Sequence, residues 1–188
     1  MCPVTTKRKD VCQAITLQIE NAWDGTAVAE YSSSRVELRL TEHGLNLHFS
    51  GPLMGDPAPE EPPGRLWGLW NHEVLECFIV GPDSNYLEVE VGPHGHFLIL
   101  CLHGVRTIVN DAVPAQLQWH TAAGGIWSVS VVVGHEHLPS LPWKMNAFAI
   151  YGATPRTFLA STPVPGDGPD FHRISQYTQS FSGEWSLD

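Results

Sequence analysis

Apolar and polar residues alternate along much of this chain with a period of two. Across Ala14 to Glu20, Ile15, Leu17 and Ile19 are interleaved with Thr16, Gln18 and Glu20. Side chains two apart share one face of a strand, so this segment predicts a strand with one buried face. Arg35 to Leu40 repeats the pattern with Val36, Leu38 and Leu40. Glu42-His43-Gly44 then turns the chain into Leu45, Leu47 and Phe49, which predicts a hairpin. Val74 to Val80 is apolar on both faces except for Glu76, the pattern of a central strand. It connects through Gly81-Pro82-Asp83-Ser84 to Tyr86–Val91, where Leu87, Val89 and Val91 face one way and Tyr86, Glu88 and Glu90 the other.

Further strands are predicted at His96 to Leu102, Gln116 to Thr121, Ile126 to Val133, Ala147 to Tyr151 and Thr157 to Ser161. Asn21 to Gly25 predicts a turn, and Leu66 to Trp70 one helical turn. Gly51 to Gly64 holds five prolines, which lack the donor a strand ladder needs, and predicts a long loop. Val164 to Pro169 predicts another. No repeat, heptad or strand–helix alternation is present, which argues against a Rossmann-type sheet. Many short strands with regular turn signals predict an all-β chain, an antiparallel β-sandwich of jelly-roll or immunoglobulin-like kind. Residues 1–188 are expected to form one domain, with 1–11 a flexible tail.

Composition narrows the function classes. The formal charge of -10, with no basic stripe, disfavours a nucleic-acid partner. The first residues, MCPVTTKRKD, hold no apolar stretch of signal-peptide kind, and no run is long enough to span a membrane. With four cysteines and no CxxC pair, a cytoplasmic protein with reduced thiols is expected, Cys77 and Cys101 being buried in strands. Oligomeric state leaves no trace in the sequence.

Candidate chemistry concentrates between Leu66 and Phe97. Glu73, Glu76, Glu88, Glu90, His94 and His96 crowd into one predicted hairpin and its flanks. Strands carry few Glu, so these acids need either a wet outer face or a polar site. Alternation of Glu88 and Glu90 along one strand reads most simply as a solvated face. Seven Trp is a high count, and Trp67 and Trp70 precede the hairpin. Trp combines large area with one donor and suits a binding surface.

The stretch LWNHEVLECFIVGPDSNYLEVEVGPHG is similar to the signature of family-9 carbohydrate-binding modules and the wider DOMON-like sandwiches. Trp70, Glu73, Glu76, Phe78, Tyr86, Glu88 and Gly92-Pro93-His94-Gly95 occupy the places of that pattern. Pro169-Asp170-Phe171-His172-Arg173 resembles a motif near the C-terminus of intracellular DOMON-like proteins. With Ala22-Trp23-Asp24-Gly25, the whole chain resembles an uncharacterised animal family of about this length. The resemblance implies a ligand-binding sandwich in which Trp70 stacks on a sugar and Glu76 accepts from its hydroxyls. Trp67, Glu73, Glu88 and Glu90 would complete the cleft, with His94, His96, Phe171 and His172 at its rim. The second, clamping Trp of those modules has no clear counterpart by spacing; Phe171, His172 and Trp185 are the candidates. Fold alone does not fix chemistry.

Three other readings carry less. His94-x-His96 and His135-x-His137 would place paired rings on one strand face, but neither has a further ligand at a diagnostic distance, and no metal is expected. Glu76 with Glu88 or Glu90 could form a glycosidase pair. Yet Ser32-Ser33-Ser34 and the scattered His show no nucleophile elbow or triad order, and no catalytic residue and no cofactor is assigned. The Pro-rich loop at Gly51 to Gly64 could dock a protein, but a flexible connection is the favoured reading.

Overall fold

The computed structural model describes residues 14–28, 33–121 and 124–182. The expected N-terminal tail, Cys2, Cys12, Ser32 and Trp185 lie outside the described residues. The strands, in chain order, begin with β1 (Ile15–Ile19), β2 (Asn21–Ala22), β3 (Ser34–Thr41), β4 (Gly44–Pro52) and β5 (Gly64–Arg65). Then come β6 (Val74–Val80), β7 (Asn85–Val91), β8 (His96–His103), β9 (Ile108–Asn110) and β10 (Ala115–Thr121). The last are β11 (Ile126–Val133), β12 (Trp143–Tyr151), β13 (Thr157–Ala160) and β14 (Gln179–Phe181). Short 3-10 turns cover Leu69–Asn71, His135–His137 and Ile174–Gln176.

Two sheets form the sandwich expected from the alternation. One has five antiparallel strands in the order β1-β3-β4-β11-β10. The other runs β2-β13-β12-β6-β7-β8-β5, with β14 also beside β12 and β9 beside β8. All pairings are antiparallel except β5 on β8. The predicted hairpin turn at Gly44 has φ 130, and a Cβ there would run into the Val133 carbonyl, so only glycine fits.

The main core lies between the sheets. Leu17, Ile19, Val36, Leu38, Leu47 and Phe49 of the smaller sheet meet Leu75, Cys77, Ile79, Leu87, Val89 and Met145 of the larger. Cys77 is buried as expected, whereas Cys101 is only partly so. The larger sheet is covered on its outer face as well. There Val74, Phe78, Leu98, Leu100 and Phe148 pack under Leu66, Leu69, Val164, Phe171 and Tyr177, forming a second apolar cluster. All seven residues of β6 are therefore buried. This double burial explains a strand apolar on both faces. It also sets the Glu residues of β6 and β7 inside the molecule.

Candidate functional site

Strand register builds the floor of a cleft on that outer face. Glu76 lies opposite Glu90 and Phe78 opposite Glu88, so three carboxyls and one ring share adjacent positions of β6 and β7. Glu76 is 3 % exposed, Glu88 4 % and Glu90 0 %. The solvated-face reading of Glu88 and Glu90 is thereby overturned: alternation places them on the face opposite the main core, but the loops above exclude water. Glu88 Oε2 has no hydrogen-bond partner, while the Glu88 and Glu90 side chains interact with one another and the Trp70 backbone approaches Glu90.

Burial disfavours a charged carboxylate and raises its pKa. It pushes Glu88 up to about 7, against an ordinary 4.5, with Arg106 pulling the other way. Burial also raises Glu76 well above the carboxylate range, the like charge of Glu88 adding to it and Arg156 and Arg106 opposing. Glu90 is raised by burial first, then by Glu76 and Glu88.

The wall comes from the C-terminal motif. His172 Nδ1 lies 2.7 Å from the Tyr86 hydroxyl, which accepts the Arg106 backbone N–H at 3.0 Å. When that hydroxyl gives its own proton to Nδ1, the neutral imidazole carries its proton on Nε2, and the ring is assigned that tautomer. Nε2 points toward Glu88 Oε2 at 3.9 Å, too far for a hydrogen bond. Burial first, then Arg106, lowers His172 to about 4, so its ring is neutral at pH 7. Asp170 Oδ1 accepts from the Arg106 guanidinium at 2.7 Å and from the His172 backbone N–H at 3.0 Å. Phe171 stacks on Phe148 with centroids 3.9 Å apart, and Arg173 donates to the carbonyls of Val164, Gly168 and Asp170. The motif thus locks its own loop and delivers His172 to the floor.

Trp67 and Trp70 form the rim. Gly68 between them adopts φ 84, a left-handed conformation natural to glycine, and begins the predicted helical turn. The rings meet edge to face, centroids 5.3 Å apart and planes at 79°. They remain 54 % and 36 % exposed, unusual for the largest apolar side chains. Of the candidates for a second ring, Phe171 is taken up by stacking on Phe148, and Trp67 is the ring that stands beside Trp70. Rim, floor and wall enclose a cleft of about 370 Å³, within the range of small-ligand sites.

Seven of the sequence-derived residues converge here: Trp67, Trp70, Glu76, Glu88, Phe171 and His172 line the cleft, and Glu90 sits behind its floor. Glu73, His94 and His96 are placed elsewhere. Glu73 accepts the backbone N–H groups of Met54, Gly55 and Asp56 at 2.9, 3.1 and 3.3 Å, gathering the Pro-rich loop. His94 and His96 contact the Asp56 and Glu61 carbonyls of the same loop. His135 and His137 lie in a 3-10 turn rather than on one strand face. Among the described residues, no group of three or more His, Cys, Asp or Glu side chains is placed to hold a metal. Arg106 was missed, having no pattern around it; Asp170 stood in the quoted motif without a role.

The sandwich fold has a structural counterpart. The chain superimposes on a proposed carbohydrate-binding protein from Bacteroides uniformis with TM-score 0.60 at 17% identity, covering 88% of this chain and 84% of that one. No family model matches the chain. It is 36% identical over 176 residues to the UPF0462 protein C4orf33 homolog of Mus musculus, covering 88% of this chain and 90% of that protein. It is 34% identical to the Danio rerio homolog and 34% to the human UPF0462 protein C4orf33, with coverage of 87% and 86% of those chains. The chain belongs to the UPF0462 C4orf33 family.

Proposed function

We propose that this protein is a small-ligand-binding sandwich that takes a carbohydrate in the outer-face cleft. The observation that carries this reading is the pair of exposed, nearly perpendicular Trp rings above buried carboxyls with unused hydrogen-bonding capacity. A pyranose presents an apolar C–H face to a ring and hydroxyls to carboxyl groups, so one ligand can satisfy both. Trp70 stacks on the sugar, Trp67 closes one side, and Glu76 and Glu88 accept from hydroxyls. The likeness to the Bacteroides uniformis protein supports the reading at the level of fold. The formal charge of -10 speaks against a phosphate-rich partner.

Binding is favoured over glycoside cleavage by placement. Glycosidases set two carboxyls on opposite sides of the scissile bond. Here Glu76 and Glu88 rise from neighbouring strands of one floor, and Asp170 on the wall is engaged by Arg106 and the His172 amide.

The test is a thermal-shift screen of mono- and oligosaccharides, since a ligand of the folded state raises the melting temperature according to its concentration over its affinity. A saccharide hit should weaken about tenfold or more in Trp70→Ala, as expected for loss of one stacking contact. Unchanged affinity in both Trp70→Ala and Glu76→Gln would show that the cleft is not the site.

A further inference from the structure

Acids outnumber bases in the cleft, and burial rather than pairing keeps the floor neutral. Glu76, Glu88, Glu90 and Asp170 lie near the guanidinium groups of Arg106 and Arg156, with Arg173 also close to Asp170. Arg106 and Arg156 oppose the upward shift of Glu76, and Arg106 that of Glu88, without cancelling either. Arg106 is held by Asp170 at 2.7 Å, with its side chain 60% exposed at the rim. Arg156 donates to the His72 carbonyl and also answers Asp56. His172 presents a neutral ring. Glu88, 96 % removed from solvent by its 4 % exposure, lines the cleft with Oε2 unpartnered. An uncompensated acid in a dry site is costly unless a cation or a proton joins it.

The rings over this floor suit a cation. The negative faces of Trp attract an ammonium group within about 6 Å, most strongly where water is excluded. Trp67 and Trp70 stand at 79° to one another, so a group in the angle between them meets two ring systems at once. An ammonium also brings three N–H donors to oxygens that have none. A neutral sugar offers hydroxyl donors alone, whereas an ammonium also favours the ionised form of Glu88, which at about 7 is already near its midpoint at neutral pH.

We propose that the ligand carries a protonated amine, an amino sugar rather than a neutral one, with its ammonium between the Trp67–Trp70 pair and the Glu76 and Glu88 carboxyls. This inference rests on the carbohydrate reading above and names the substrate class of the same cleft. The recognising chemistry is the alkylammonium group, which a small non-sugar amine could also supply.

The experiment is isothermal titration of the full chain with glucosamine, glucose, N-acetylglucosamine and choline. Expected is glucosamine binding about tenfold or more tighter than glucose or N-acetylglucosamine, the order of one charge-assisted hydrogen bond. Glu88→Gln should erase that preference while retaining the fold, because it removes a buried acid without changing side-chain size. Glucose binding as tightly as glucosamine would overturn the amine inference and leave the carbohydrate reading standing. Choline binding with all three sugars silent would support the cation site and overturn the carbohydrate reading. Silence from all four would overturn both.

Discussion

Replacing Glu88 by Gln should stabilise the protein, and by an amount that grows with pH. In the unfolded chain this carboxyl ionises near 4.5, and in the folded cleft at about 7. Below 4.5 both states hold the proton and the group is neutral in effect. Between 4.5 and 7 the unfolded state ionises while the folded state does not, so stability falls as pH rises, and the loss is complete above 7. At about 1.4 kcal/mol for each pH unit of separation, the interval from pH 5 to pH 8 costs about 2.5 kcal/mol. His172 acts in the opposite sense. Its folded value near 4 lies below its ordinary 6.5, so it costs stability as pH falls through that window. The raw pH profile of the parent protein therefore mixes slopes of opposite sign, Glu76 and Glu90 acting in the same sense as Glu88. The difference between Glu88→Gln and parent reports the Glu88 carboxyl together with its repulsion of Glu76 and Glu90. Urea denaturation followed by Trp fluorescence at pH 5 and pH 8 measures it. The variant should gain about 2–3 kcal/mol relative to the parent on going from the lower to the higher pH. A difference that stays constant between the two pH values would refute the reasoning that burial holds a proton on Glu88.

Two further substitutions test the scaffold around the cleft. Glu73→Ala strips the acceptor from three loop amides and should cost about 1–3 kcal/mol, with faster protease nicking near Met54 to Asp56 and unchanged ligand affinity; an unchanged cleavage rate would sink the anchoring role. Tyr86→Phe leaves His172 Nδ1 and the Arg106 amide without their partner, at a cost of about 1–3 kcal/mol in denaturation, and the ¹⁵N shifts of His172 should lose their single-tautomer signature; retention of one tautomer would refute the assigned proton positions.

The sandwich was legible because its long strands carry their own pattern. β3, β4, β11 and β7 each alternate over seven residues or more, and their register follows from which face is apolar. Short strands carried no such signal. β5 is two residues that pair with His96 and Phe97 of β8, so only its distant partner makes it a strand. β2 was read as part of a turn for the same reason. β12 starts at Trp143 rather than Ala147 because Asn146 interrupts the apolar run. Its side chain is fully buried and exchanges two hydrogen bonds with the Thr162 backbone. The cleft was half legible. Motif spacing brought Trp70, Glu76 and His172 forward, but the burial of Glu88 and Glu90 depends on loops far away in sequence. Alternation reports which face a side chain takes, not what lies above that face. Glu73 and the two histidines share the dense segment with the cleft residues, yet the long loop claims them instead.

The second apolar cluster has a consequence for synthesis. Val164, Phe171 and Tyr177 of its cover, and the cleft wall at Asp170 and His172, all follow β12 and β13 in the chain. A nascent chain released as far as β12 already possesses most strands of both sheets, with the acid-bearing outer face of β6 and β7 still open to water. Burial of Glu76, Glu88 and Glu90 therefore waits on Pro169 to Arg173, a segment that follows both sheets' long strands in the chain, so the raised carboxyl pKa values belong to the closed fold and not to the open sheet.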